Sequence, residues 1–140
     1  MRMIVVAILI LISAGASTFS QAADVTKANN ADNLNLTSSW SGGSVPGSGD
    51  VGVWDSTVTS ANTVLLGGNL SWSGVRIANP GGLVTISAGN TLTLDTGGVD
   101  LTAATQDLTA NCALSLRQPY LPEIVMSPSG AFSASDPTNS

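Results

Sequence analysis

The chain contains no histidine and a single cysteine, Cys112, and only 9% of its residues are charged. Each scarcity removes a class of chemistry. Without histidine there is no Ser–His or Cys–His dyad and no imidazole ligand for zinc. With one cysteine no intramolecular disulfide forms, so a chain of 140 residues must be held by its own packing or by further protein. Cys112 has no histidine to activate it and reads as a small buried hydrophobe. Four basic residues stand against nine acidic ones, a net charge of −5. Such a balance repels phosphate backbones and argues against nucleic acid as a partner. The residues that coat long helices are scarce, whereas β-branched side chains and Gly, Ser, Thr and Asn abound. That composition points to an all-β protein.

Long apolar runs are scarce as well. The one at residues 4–12 has nine members, follows Arg2, and gives way to small and polar residues ending in Ser20-Gln21-Ala22. This is the layout of a secretory signal peptide, with cleavage expected after Ala22. The run falls far short of the ~20 residues a spanning helix needs, so no transmembrane anchor is expected after cleavage. Export places the protein outside the cell or on its surface. Arg2 leaves with the leader, so three basic residues then face nine acidic ones and the mature charge is −6.

What the mature chain does have is a phrase that returns. "NTVLLGGNLSWSGVRIANPG" (62–81) is followed by "GLVTISAGNTLTLDTGGVDLT" (82–102). Val64 and Leu66 correspond to Val84 and Ile86 at an offset of 20, Leu70 and Trp72 to Leu92 and Leu94 at 22, and Val75 and Ile77 to Val99 and Leu101 at 24. A third pass aligns Leu108 and Ala110 with Val84 and Ile86, and Leu114 and Leu116 with Leu92 and Leu94. Each segment repeats apolar residues at i and i+2, the period of a strand with one buried face. Glycine or asparagine punctuates the segments, as tight corners require.

Three strands and three corners in 20–24 residues describe one coil of a solenoid. The expected fold is therefore all-β, a right-handed parallel β-helix of about two and a half coils. Its interior columns would be Val64/Val84/Leu108, Leu66/Ile86/Ala110 and Leu70/Leu92/Leu114. An antiparallel sandwich or meander also uses short alternating strands, but it needs no register between segments some twenty residues apart. The organisation that follows is a signal peptide at 1–22, a lead-in and capping segment at 23–61, coils at 62–116, and an irregular Pro/Ser-rich tail at 117–140.

The stretch "SWSGGSVPGSGDVGVWD" (39–55) tests the alternatives for a glycine-rich loop. A phosphate-binding loop needs G-x-x-x-x-G-K-[ST] between strand and helix. Here Gly43 and Gly49 are six apart instead of five, no lysine follows, and Asp50 stands beside the last glycine. A dinucleotide fingerprint also fails, because no helical pattern follows. Pro46-Gly47-Ser48-Gly49 reads as a turn, and Val51 and Val53 alternate as in a strand. Trp40 and Trp54 flank the turn and are suited to cover the exposed end of a first coil. The functional alternative is a sugar-stacking platform, with Trp40, Trp54 and Trp72 as its candidate carbohydrate contacts.

Trp40, Val45-Pro46, Gly49-Asp50, residues 53–55 and the phrases "SWSGVRIANPGGLVTISAGNTLTLDTGGVDLT" and "ATQDLTANCALSL" together resemble the start of bacterial autotransporter-associated β-strand repeat proteins. The resemblance covers roughly residues 34–116, and the tail from Arg117 departs from it. It implies a pectin-lyase-like β-helix in a large secreted or surface protein.

No catalytic constellation emerges. Asp95, Asp100 and Asp107 cluster around a corner, where they suit glycoside hydrolysis, Ca²⁺ ligation or simple turn chemistry; the last is favoured, because the calcium repeat GGxGxD is absent. Arg76 is the only basic residue in the coils and faces outward, so the basic group a polysaccharide lyase requires has no second cation beside it. Asn35-Leu36-Thr37 and Asn69-Leu70-Ser71 match glycosylation sequons by chance in a Thr/Ser-rich chain. Pro119, Pro122, Pro128 and Pro137 interrupt the tail; the third coil is expected to lack its third strand, and residues beyond Ser127 to be disordered. The function expected is a non-enzymatic, cofactor-free and metal-free, adhesin-like passenger fragment that contacts extracellular polysaccharide or matrix. The rivals are the N-terminal part of a polysaccharide-active enzyme and a small carbohydrate-binding module.

Overall fold

A computed structural model describes residues 22–117 together with two strands at 124–126 and 132–134. The expected signal peptide lies outside the described residues except for Ala22, as does most of the tail. The strands are β1 (Ala23–Thr26), β2 (Asp50–Trp54), β3 (Asn62–Val64), β4 (Leu70–Ile77), β5 (Val84–Ile86), β6 (Thr91–Leu101), β7 (Leu108–Ala110), β8 (Ala113–Leu116), β9 (Ile124–Met126) and β10 (Phe132–Ala134). Among the described residues a single short 3-10 turn, Thr37–Ser39, interrupts them.

Two sheets result, and every pairing between named strands is parallel. One runs β1-β2-β4-β6-β8, with β9 also paired to β6; the other runs β3-β5-β7-β10. The chain is a β-solenoid of about four turns. Alternation decides which side chains enter it: Val75 and Ile77, Leu92 and Leu94, Val84 and Ile86 are all buried, while the residues between them are less so. Stacked strands about 4.8 Å apart then superpose like on like, giving interior columns such as Leu70/Leu92/Leu114 and Trp72/Leu94/Leu116.

The stack is longer than two and a half coils because both ends contribute. The lead-in segment supplies β1 and β2, which extend the sheet beyond β4. At the other end β9 pairs with the Val99–Leu101 half of β6, filling the place of the third strand that the sequence reading left vacant, and β10 pairs with β7. The prolines explain why these two segments form strands: both lie between prolines and contain none.

Two further differences concern register. Trp72 pairs with Leu94 but Gly74 with Gly98, so β6 carries two extra residues and bulges there. The two strands expected on either side of this corner are one bent strand, and the bulge is the reason the repeat offset changes from 22 to 24. Gly74 and Gly97 stack at that bend: a Cβ on Gly74 would lie 2.8 Å from the carbonyl carbon of Gly97. Only glycine allows the two backbones to approach so closely.

On the second sheet the offset from β3 to β5 is 22, not 20: Asn62 pairs with Val84 and Val64 with Ile86. The columns are therefore Asn62/Val84/Leu108 and Val64/Ile86/Ala110, and the expected Val64/Val84/Leu108 and Leu66/Ile86/Ala110 columns are each displaced by two residues at their first member. The physical reason is that a polar residue, Asn62, occupies a buried inward position, which an apolar pattern passes over. In β2 likewise, the residues level with inward Val75 and Ile77 are Gly52 and Trp54. Val51 and Val53 lie on the outer side of the sheet.

Candidate functional site

The three tryptophans come together. Trp54 is carried by β2 and Trp72 by β4, both pointing inward, and Trp40 reaches them from the loop after the 3-10 turn. Their ring centroids lie 5.4–6.5 Å apart, with Trp40 edge-on to both others, the geometry that aromatic quadrupoles favour. Gly52 makes room for them, since a Cβ there would meet both Trp72 and Trp40 at 3.0–3.2 Å. All three indoles are at most 2% exposed. A sugar platform needs an open ring face, and none of the three has one. Trp40 Nε1 donates to Leu34 O at 3.0 Å and Trp54 Nε1 to Asn62 Oδ1 at 3.0 Å, whereas Trp72 Nε1 has no partner among the described residues.

Beside the indoles lies a polar group that sequence reasoning missed. Alternation along the first edge turns Val25 inward and then Lys27, whose N–H donates to Val53 O at 2.8 Å. Lys27 is completely buried. Its ammonium donates to Ala28 O at 2.9 Å, Asn30 O at 2.8 Å and Asn30 Oδ1 at 2.9 Å. Burial pushes this group below the usual lysine range, and the charge of Asp32 opposes that shift. Asn30 O also accepts from Asn62 Nδ2 at 2.8 Å, so Lys27, Asn30, Asn62 and Trp54 form one connected chain of polar contacts. The loop that carries Asn30 doubles back over the edge: Lys27 bridges Trp40 in antiparallel fashion, and the N–H groups of Leu34 and Asn35 donate to Leu65 O and Leu66 O.

On the outer face Arg76 donates to Asp100 at 2.9 Å on the next strand and to Asp24 at 2.6 Å on β1. To reach Asp24 from β4 its side chain crosses β2, over the outward Val51 and Val53, and both valines are buried. Burial opposes ionisation of Asp100, but hydrogen bonds from the Thr102 hydroxyl and N–H and from Arg76 outweigh it and hold the carboxyl below its ordinary range. The same two carboxylates raise Arg76 against its own desolvation. Both charges of the pair are thus engaged with each other. Asp95 and Asp107, expected near Asp100, take part in interactions of their own. Among the described residues no three Cys, Asp or Glu side chains gather as a metal site, and no helix is long and apolar enough to cross a membrane. Cys112 is buried, and desolvation raises its thiol above the usual range.

The outer faces of the described sheets carry ordered columns of hydroxyl residues. Between the inward positions of the second sheet, Thr63, Thr85, Thr109 and Ser133 are direct register partners. They form a single column of hydroxyls along the stack, with a repeat of about 4.8 Å. Ser71, Thr93 and Ser115 form a second column on the other sheet. The sequence signal was a hydroxyl residue between two apolar ones, as at Thr85, Thr109, Ser71, Thr93 and Ser115; at Thr63 the preceding residue is Asn62.

No protein family matches the chain, nor does any curated protein or solved structure.

Proposed function

We propose that this chain is an exported, non-catalytic structural solenoid of the cell surface or extracellular space, akin to the β-helical passengers its repeat phrases resemble, and that its hydroxyl columns contact extracellular polysaccharide or matrix. The observation that carries the reading is the in-register column Thr63/Thr85/Thr109/Ser133 on a continuous parallel sheet. A row of equivalent donors and acceptors at a fixed repeat suits a polymer that presents hydroxyl groups periodically, because many weak contacts on one rigid face add up. The interior supports a scaffold role: it is filled with aliphatic side chains and indoles, and the principal cation of the coils, Arg76, is bound by two carboxylates. The leader-like segment at 1–22 supports export.

The test is to express the full chain with its leader in a bacterial host and follow the product. The expected result is an extracytoplasmic protein beginning at Ala23 that co-sediments with insoluble polysaccharide. Co-sedimentation should be lost in the triple variant Thr63→Ala, Thr85→Ala, Thr109→Ala while the circular dichroism spectrum is retained. Retention in the cytoplasm with residues 1–22 intact, or sedimentation unaffected by the triple variant, would overturn the reading.

A further inference from the structure

We propose that Lys27 and Asn30 become joined by an intramolecular isopeptide bond, a covalent staple at the first edge of the solenoid. The Lys27 nitrogen lies 2.9 Å from Asn30 Oδ1, inside a site that leaves Lys27 no exposed surface. The carboxamide is fixed in place: Asn30 Nδ2 donates to Ser38 O at 2.8 Å, and Oδ1 also accepts the Asp32 N–H at 3.2 Å. Amine and carboxamide are thus held in contact, which converts a slow bimolecular reaction into an intramolecular one. The Asp32 N–H is directed at the oxygen that gains negative charge when the amine adds to Cγ, and this interaction strengthens as the charge develops.

The step balances without a further reagent. The ammonium of Lys27 first gives up one proton to solvent, and the resulting amine nitrogen forms a bond to Asn30 Cγ. It gives up a second proton as the bond from Cγ to Nδ2 breaks, and Nδ2 takes up that proton and leaves as ammonia. No electrons are transferred, so no oxidant is required, in a chain whose single cysteine cannot make a disulfide. The Asp32 carboxylate, held by the Ser38 hydroxyl at 2.6 Å, is the negative charge that acts on Lys27. Burial of Lys27 favours the neutral amine that the step consumes.

Two contacts show what the bond would secure. The same loop closes over Trp54 through Asn62, and it pairs with the residue just after β1 through the Lys27–Trp40 bridge. A link from residue 27 to residue 30 therefore pins the cover of the indole cluster to the edge strand.

Mass spectrometry of the purified, unfolded and trypsin-digested protein tests the proposal. The expected peptide runs through Lys27 uncut, is lighter than its sequence by one ammonia molecule, and gives fragment ions that place the loss across residues 27–30. Asn30→Ala should restore both cleavage after Lys27 and the full mass. Cleavage after Lys27 in the parent protein with the full sequence mass would overturn the proposal. So would loss of ammonia confined to Asn30 with Lys27 still cut, which marks a succinimide instead.

Discussion

Asn62 and Trp54 meet inside the stack, where the Asn62 carboxamide oxygen accepts the Trp54 indole N–H at 3.0 Å. Asn62 stands in the same column as Val84 and Leu108, so one rung of an otherwise apolar column is polar. Its amide donates in turn to Asn30 O. Replacing Asn62 by leucine keeps the branched shape of the side chain but strands the indole N–H. We expect Asn62→Leu to lower stability by about 1–3 kcal/mol, read as a lower urea midpoint. An unchanged or higher midpoint would show that the polar rung contributes nothing.

The tryptophans separate by their hydrogen bonding. Trp54→Phe removes a donor and leaves Asn62 Oδ1 unsatisfied, whereas Trp72→Phe removes an N–H that has no partner among the described residues. Both substitutions lose ring area, so the difference between them isolates the hydrogen bond. Trp54→Phe should cost about 1–2 kcal/mol more than Trp72→Phe in urea denaturation. Equal losses would contradict the assignment.

Glycine substitutions probe the bend in the long strands. Gly74→Ala places a methyl group 2.8 Å from the backbone of Gly97, and the rungs must separate to admit it. A loss of about 1–3 kcal/mol is expected. Gly49→Ala meets nothing within 4 Å and should change stability by less than about 0.5 kcal/mol. Similar effects at the two positions would mean that the bend is not packed as described.

The Arg76–Asp100 pair gives a dependence on pH. Asp100 is held below its ordinary range in the folded protein, so its stabilisation is present above the unfolded carboxyl pKa. It disappears as the pH falls through the lower folded value. Arg76 is about a third exposed, and solvent screening limits the contribution to about 0.5–1 kcal/mol. The stability gap between the parent protein and Arg76→Met should be widest near neutrality and close below about pH 4, where carboxylates protonate. It should also narrow with added salt. A gap that widens toward acid would reverse the assignment.

Much of this architecture could be read from the chain. The columns Leu70/Leu92/Leu114, Val75/Val99 and Val84/Leu108 follow from apolar residues two apart and a repeat that returns, and the structure stacks them as that pattern requires. Register failed where an inward position is polar or bare. Asn62 hides one rung of the second sheet, and Gly52 hides the phase of β2. Lys27 gave no local sign of burial, because its inward turn depends on pairing with a strand 27 residues later. The reach of Arg76 to Asp24 spans 52 residues and exists only once three strands lie side by side. Trp40, Trp54 and Trp72 were visible as a group, but composition alone could not place their rings inside.

Cysteine cross-linking across β3 and β5 tests the parallel register most directly, in a Cys112→Ala background. Thr63 and Thr85 are Cα partners, and adjacent strands about 4.8 Å apart suit a disulfide. Thr63 and Leu83, the pair that an offset of 20 would align, are displaced by two residues along the strand and too far apart to bridge without distortion. Mild oxidation should therefore close Thr63→Cys/Thr85→Cys nearly completely and leave Thr63→Cys/Leu83→Cys largely reduced. The reverse order, or no closure in either pair, would contradict the stack of parallel turns.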